Sequence, residues 1–364
     1  DLSEITSIKR IALELGQEGW QIHVLCPAWQ PRNNDEILQF IQRFLQYRSI
    51  NVSYIGVNAG TLVKDTDVQE LMAYLNGLAL RFDSTAFIGQ ITASSNIQTP
   101  VFRNDSKWFA ALWSKNSNEQ ISIPVAGAVS LQLSDALGND IPLPEIVNEQ
   151  ITLSLGASPL YLTGTGGVVL GQAALQELSK TAESVTASET MKAALTPAVV
   201  GLIEKIANEP QGSGCRLRFF DLLRVFPRLE EDWHTKKLLP EQAIPAIALV
   251  AKLARLLCIV EEDRGERFIE PISDTIGRAA ELQSLYLTGS AGSAQARKRG
   301  DWVLGEVLRL IDEAETLEQA GRKIEASAVA AIAEWRAHCL VYAAQAEQVP
   351  SAIPEVQPLV LPKP

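Results

Sequence analysis

The segment Val101-Phe-Arg-Asn-Asp-Ser-Lys-Trp-Phe-Ala-Ala-Leu-Trp113 places two apolar, aromatic runs on either side of an Asn-Asp pair. Short runs of β-branched and aromatic residues separated by Asn, Asp and Gly are typical of strands joined by turns. The same texture continues on both sides, and six strands are predicted, at Ile88–Ile91, Gln98–Phe102, Lys107–Ser114, Gln120–Pro124, Ser130–Asp135 and Gln150–Leu155. Because no helical pattern lies between them, residues 82–167 are predicted to form an antiparallel β-sandwich.

The composition is that of a globular chain. Of the 364 residues, 46% are hydrophobic and 21% are charged. A chain of this length is expected to form two or three domains. Acidic residues exceed basic ones by 43 to 32, so nucleic acid is not a predicted partner. No run approaches the roughly 20 apolar residues of a membrane span, and no membrane partner is predicted. The four cysteines form no Cys-x-x-Cys pair, and we predict neither a metal site nor a cofactor.

The sandwich segment resembles a known module. The aromatic strand ending in Leu112-Trp-Ser114, the turn Asp135-Ala-Leu-Gly-Asn139 and the closing run Ser158-Pro-Leu-Tyr161 are similar to the β-sandwich that follows the catalytic barrel in many glycoside hydrolases. The resemblance covers residues 67–164. An unrelated sandwich with ordinary turn chemistry is the alternative.

Residues 1–81 alternate helix and strand in the order αβαβα, with predicted strands at Gln21–Cys26 and Ile50–Val57. Helices between strands imply parallel strands with right-handed crossovers. Together with the sandwich, this order favours the last strands of a (β/α)8 barrel, and a complete small α/β layer is the alternative. The chain begins directly before a predicted helix, so we expect Asp1 to lie inside a domain. No Gly-x-Gly-x-x-Gly follows either strand, which disfavours a dinucleotide site.

In a barrel, chemistry lies at the carboxyl ends of the strands. The first end reads Cys26-Pro-Ala-Trp29 and holds no carboxylate, although a retaining glycosidase needs two. The catalytic residues are therefore unknown and are expected outside this chain, and we expect these residues alone to be inactive. Trp29 can stack on a sugar ring or pack the rim, and Asn58 can bind a hydroxyl or form a turn. His23 is the third candidate substrate-binding residue, with burial in the core as its alternative.

Residues 172–347 have helical spacing throughout and are predicted to form an all-α domain. Asp301–Ala320 and Arg322–Glu347 are expected to pair as a helical hairpin around Gly321. Gly289–Gly300, which contains Arg297-Lys-Arg299, is predicted to be a solvated loop, and residues 348–364 a loose tail. Glu334 and His338 stand four apart, which alone is a weak metal pattern.

The predicted fold class is therefore multidomain α and β: a partial barrel-type segment, a sandwich and a helical domain. Two functions remain open. The first is a carbohydrate-active protein, the C-terminal portion of a glycoside hydrolase-like enzyme with carbohydrate as its partner. The second is a non-catalytic interaction or scaffolding module that binds a protein partner through the helical domain.

Overall fold

The computed structural model describes residues 23–26, 34–50, 54–57, 67–82, 85–92, 94, 96–104, 107–116, 118–187, 192, 195, 197–208, 221–225, 240–263, 271–288 and 294–345. The strands are β1 His23–Cys26, β2 Tyr54–Val57, β3 Ala86–Gln90, β4 Ile97–Gln98, β5 Pro100–Asn104, β6 Lys107–Ser114, β7 Glu119–Pro124, β8 Val129–Ser134, β9 Asp140–Ile141, β10 Gln150–Leu155 and β11 Leu160–Thr165. The helices are α1 Asn34–Arg48, α2 Asp67–Phe82, α3 Val168–Thr186, α4 Pro197–Asn208, α5 Pro240–Asp263, α6 Ile272–Thr288, α7 Ala294–Gln319 and α8 Lys323–Gln345. The predicted first helix and the predicted tail lie outside the described residues.

The centre of the molecule is an antiparallel sheet in the order β3-β5-β6-β11-β8-β9, with β4 paired to the end of β6. The strands β7 and β10 form a separate antiparallel ribbon. Along β10 the exposed and buried residues alternate, because one face of the ribbon packs on the core and the other meets solvent. The predicted mixture of helix and antiparallel sheet is thus confirmed.

The strand β6 is buried on both faces. Trp108, Ala110 and Leu112 belong to a core shared with the ribbon and the helices α3–α8, whereas Phe109 and Trp113 belong to a second core shared with α1 and α2. Successive side chains of a strand point to opposite faces. Double burial therefore explains why this strand reads as a continuous apolar run.

The strand β11 corrects the prediction for the end of the sandwich. The last of the six predicted strands ends at Leu155, whereas in the structure Leu160–Thr165 forms a further strand between β6 and β8. The glycines after it, Gly166 and Gly167, have φ of 65° and 77° and turn the chain into α3 at Val168. The indole Nε1 of Trp108 donates to the carbonyl of Gly166 at 2.8 Å, which fixes this turn on the sheet.

The strands β1 and β2 pair in parallel, with α1 between them in sequence. Their register joins His23 to Tyr54 and Cys26 to Val57. Within the described ranges these two strands pair only with each other, and no closed barrel is present. The parallel crossover predicted from the helix–strand alternation is thus observed, while a barrel remains a prediction.

The helix α3 ties the helical part to the sheet. It crosses β3 so closely that a Cβ on Gly89 would lie 2.1 Å from the carbonyl oxygen of Ala173. On its other sides α3 packs against α4 and α5, and α8 packs against α5, α6 and α7. None of the helices in the described part is long and apolar enough to cross a membrane.

The predicted loop Gly289–Gly300 is partly helical, because α7 begins at Ala294. The basic residues Arg297–Arg299 therefore lie on a helix. The reason is local, since Ala, Gln, Arg and Lys all favour helix and Gly300 is the first glycine after Gly292. The loop prediction gave too much weight to the flanking glycines.

The hairpin of α7 and α8 is as predicted. Its turn is a Schellman motif, in which the amide of Arg322 bonds to Leu317 and the amide of Gly321 to Glu318. Gly321 takes a φ of 77°, which glycine adopts without strain.

Candidate functional site

The candidate site lies at the edge of the parallel pair where β1 ends at Cys26 and β2 ends at Val57, and we call this edge the site edge. Because Cys26 and Val57 are direct partners in the register, the chain leaves both strands at neighbouring positions on one edge of the parallel pair. Parallel strands present their following loops together, and such edges are common ligand sites in α/β proteins. The segments that follow are the ones that carry Trp29 and Asn58 in the sequence.

Of the three predicted substrate-binding residues, His23 lies in the described part of the chain. Trp29 and Asn58 follow the strand ends by three and one residues, and both lie outside the described residues. His23 is the first residue of β1 and thus stands at the opposite end of the strand. At about 3.3 Å per residue, its Cα is roughly 10 Å from that of Cys26. The backbone register therefore separates His23 from the edge that Trp29 and Asn58 follow.

The α/β segment rests on an aromatic cluster formed by Phe44, Phe82, Phe102 and Phe109. The rings of Phe102 and Phe109 stack with centroids 5.1 Å apart, and Phe82 meets both edge-on at 4.8 Å. Phe44 meets Phe82 edge-on at 5.2 Å. Offset and edge-to-face contacts are the favoured geometries of aromatic pairs. They fix α1 and α2 against the sheet.

Two arginines complete this contact. Arg48 lies 5.7 Å from the ring centroid of Phe82 and donates to the carbonyl of Thr85 at 3.2 Å. Burial lowers the pKa of Arg48 from its usual value. Arg81 lies 4.7 Å from the ring centroid of Tyr161 and donates to the hydroxyl of Ser134 at 3.1 Å. Both cations therefore join α1 or α2 to the sandwich.

The Ser158-Pro-Leu-Tyr161 run lies at the same contact. The side-chain amide of Gln42 on α1 donates to the carbonyl of Ala157 at 2.8 Å, directly before this run. Tyr161 is buried, and its hydroxyl has no hydrogen-bond partner among the described residues. Burial raises the pKa of Tyr161 far above its usual value. The motif that carried the resemblance thus forms part of the contact between the α/β segment and the sandwich.

The Asp135–Asn139 segment forms a turn. One carboxylate oxygen of Asp135 accepts the amides of Leu137 and Asn139 at 3.0 and 2.8 Å, and the other accepts the Asn139 side chain at 2.9 Å. Burial acts to raise the pKa of Asp135, but these hydrogen bonds outweigh it and the pKa is lowered. In the described part of the chain, no three His, Cys, Asp or Glu residues are grouped to hold a metal ion.

The helical part contains buried ion pairs that the sequence analysis did not identify. Glu334 accepts two hydrogen bonds from Arg278, at 2.7 and 2.9 Å, and this pairing accounts for the carboxylate four residues before His338. Burial lowers the pKa of His338. In the sequence, Arg278 and Glu334 are visible only as charges inside Ala-rich apolar runs, and the two residues lie 56 positions apart. Helical spacing therefore could not identify them.

No family model matches this chain, and no curated protein matches its sequence. Among solved structures, it is similar to a family 39 glycoside hydrolase from Bacteroides cellulosilyticus WH2, at 15% identity and a TM-score of 0.34, over 43% of this chain and 38% of that one. It is similar to a family 30 subfamily 8 xylanase from Clostridium acetobutylicum, at 10% identity and a TM-score of 0.34, over 41% and 43%. A family 30 endoxylanase from Clostridium papyrosolvens C71 gives 9% identity and a TM-score of 0.33, over 42% and 44%. These are weak likenesses at the level of the fold, and each spans less than half of the other chain.

Proposed function

We propose that this chain is the C-terminal portion of a carbohydrate-active, glycoside hydrolase-like enzyme. The observation that carries the proposal is the parallel register of β1 and β2, which joins Cys26 to Val57. It is supported by the helices α1 and α2, which follow β1 and β2 in the chain and pack on the sandwich beside the Ser158–Tyr161 motif. Strands seven and eight of a barrel followed by an accessory sandwich would have this arrangement.

In this proposal the chain supplies groups that bind sugar rather than the two catalytic carboxylates. The strand ends read Cys26-Pro-Ala-Trp29 and Gly56-Val-Asn58 and contain no acid. Hydrolysis with retention needs an acid and a nucleophile on opposite sides of the glycosidic bond. We place both outside these residues. Trp29 offers an apolar ring face to a pyranose, and Asn58 offers an amide that can both donate to and accept from a hydroxyl.

The test is isothermal titration of the chain with xylo-, cello- and manno-oligosaccharides. Replacing Trp29 with Ala is expected to weaken binding by roughly 1–3 kcal/mol, because an indole stacked in a desolvated groove contributes on that scale. Trp29→Phe keeps an aromatic face and should lose less. Equal affinities for the parent and Trp29→Ala would remove Trp29 from the site.

A second candidate is a non-catalytic module that binds a protein through its helices. Its support is the exposure of Leu285 and Leu287 on α6, which are 62% and 66% exposed, and of Leu308 on α7. Exposed large apolar side chains of this kind are found at interaction surfaces when they are contiguous. Failure of the unaltered chain to bind any of the saccharides would favour this candidate over the first.

A further inference from the structure

The α7–α8 hairpin forms ion pairs with three other elements through its carboxylates. Three of its carboxylates, Glu313, Glu325 and Glu334, each pair with an arginine from a different element outside the hairpin. Those arginines are Arg255 on α5, Arg103 on β5 and Arg278 on α6. The hairpin is thus an acidic element that sits against three arginines.

The pairs have good geometry and differ in their exposure: Arg103–Glu325 is largely buried, whereas Arg255–Glu313 and Arg278–Glu334 are partly exposed. Arg255 and Glu313 form two parallel bonds of 2.7 and 3.0 Å, as do Arg278 and Glu334 at 2.7 and 2.9 Å. Two-point bonds between guanidinium and carboxylate are directional as well as strong. The side chains of Arg103 and Glu325 lie 3.4 Å apart and are only 5% and 12% exposed. Removing Glu325 would leave the charge of Arg103 in a poorly solvated position.

The apolar surface of α8 orients that helix only weakly. Its buried apolar residues are mostly small and fall on several sides of the helix, at Ala326, Ala328, Val329, Ala330, Ile332, Ala333, Ala337, Cys339 and Leu340. Small side chains form few interlocking contacts, so rotation or sliding of such a helix changes the buried apolar area little. Directional ion pairs, in contrast, form at only one position of the helix against its neighbours. Fixing such a register is the best-attested role of buried ion pairs.

The hairpin is also joined internally. Arg336 on α8 is fully buried and donates twice to Glu306 on α7, at 3.0 and 2.6 Å. At the turn, Arg322 donates to Glu325, the carboxylate that Arg103 also contacts. The Arg336–Glu306 bonds join α8 to α7 and involve none of the three arginines outside the hairpin.

We propose that the α7–α8 hairpin is a clip that Arg103, Arg255 and Arg278 hold in position. The clip opens from the sheet, α5 and α6 as one unit when its ion pairs with these arginines are broken. The strands β6 and β11 and the contact of α3 with β3 stay closed when it opens, because none of these elements contributes to the three pairs. The clip is independent of the proposed carbohydrate function.

The test compares two variants of equal charge by hydrogen–deuterium exchange. The first is Glu313→Gln/Glu325→Gln/Glu334→Gln, which removes the three outer pairs together with the Arg309–Glu313 and Arg322–Glu325 pairs within the hairpin. The control is Asp312→Asn/Glu315→Gln/Glu318→Gln, three exposed acids on the same hairpin. We expect amide exchange in α7, α8 and the facing parts of α5 and α6 to rise about tenfold or more in the first variant only, since local opening exposes those amides. Exchange in β6 and β11 should not change.

The proposal is overturned if the two variants exchange alike, or if protection in β6 falls with that in α8, which would indicate global destabilisation. If the triple variant does not fold, the pair Arg278–Glu334 carries the test. Arg278→Glu should raise exchange in α8, and Arg278→Glu/Glu334→Arg should restore it by reversing both charges. Absence of that rescue would also overturn the proposal.

Discussion

At the scale of single residues, Gly89 shows how one position limits the packing of a helix on a sheet. A Cβ there would lie 2.1 Å from the carbonyl oxygen of Ala173 and 2.9 Å from the Cβ of Glu177. Both atoms belong to α3, and the nearer one is backbone, so the clash cannot be relieved by a rotamer change. The strand also shifts register at this point, between Phe87 and Gly89. The close contact of α3 with β3 therefore requires glycine.

We predict that Gly89→Ala lowers the free energy of unfolding by roughly 1–3 kcal/mol or more, because overpacking forces α3 away from the sheet. Gly277→Ala is the matched control, since a Cβ at Gly277 on α6 meets nothing within 4 Å. That change should raise stability by about 0.5–1 kcal/mol through helix propensity. Urea unfolding of the three proteins measures both effects. A Gly89→Ala protein as stable as the parent would mean that α3 has room to move.

At the scale of elements, the pairing of α5 with α7 should make stability depend on pH. Burial acts to raise the pKa of Glu313, but attraction to and hydrogen bonds from Arg255, aided by Arg309, outweigh it and lower the pKa. A carboxylate whose pKa is lower in the folded state stabilises the fold above its unfolded pKa, about 4.3. That stabilisation is lost as the pH falls through the folded value.

The expected result is a larger acid loss of stability in the parent than in Glu313→Gln, in urea titrations from pH 7 to pH 3. The amide variant has no proton to bind at that position, so its stability should fall less across the same window. Glu315→Gln removes an exposed carboxylate from the same helix and controls for net charge. Parallel pH curves for the parent and Glu313→Gln would contradict the assigned role of this ion pair.

The elements predicted well are those with a local cause. Lys107–Ser114 and Gln150–Leu155 were predicted to the residue, because apolar runs and turn residues mark their bounds. The separate strand Leu160–Thr165 was missed, since only its partners β6 and β8 reveal it as central. At the candidate site, the parallel pairing followed from helix–strand alternation. The position of His23 did not, because it depends on where β1 begins.

At the scale of the whole molecule, the central sheet separates two hydrophobic cores and contributes side chains to both. Phe109 and Trp113 face α1 and α2, whereas Leu112 faces the core that the ribbon shares with α3–α8. The α/β segment and the helical part thus pack against opposite faces of the same strand, β6, and contact different side chains of it. A change on one face should be felt mainly by the layer that it contacts.

Substitutions on the two faces of β6 should therefore have different effects. Phe109→Ala and Leu112→Ala each open a cavity under the same strand, with expected losses of roughly 3–5 and 2–5 kcal/mol. In hydrogen–deuterium exchange, Phe109→Ala should expose amides of α1 and α2, because Phe109 stacks on Phe102 and meets Phe82 edge-on. Leu112→Ala should instead expose β7 and β10. Identical exchange patterns would mean that the two cores unfold as one cooperative unit. Distinct patterns would mean that α1 and α2 can be loosened from their face of the sheet without disturbing the ribbon and the helices on the other side.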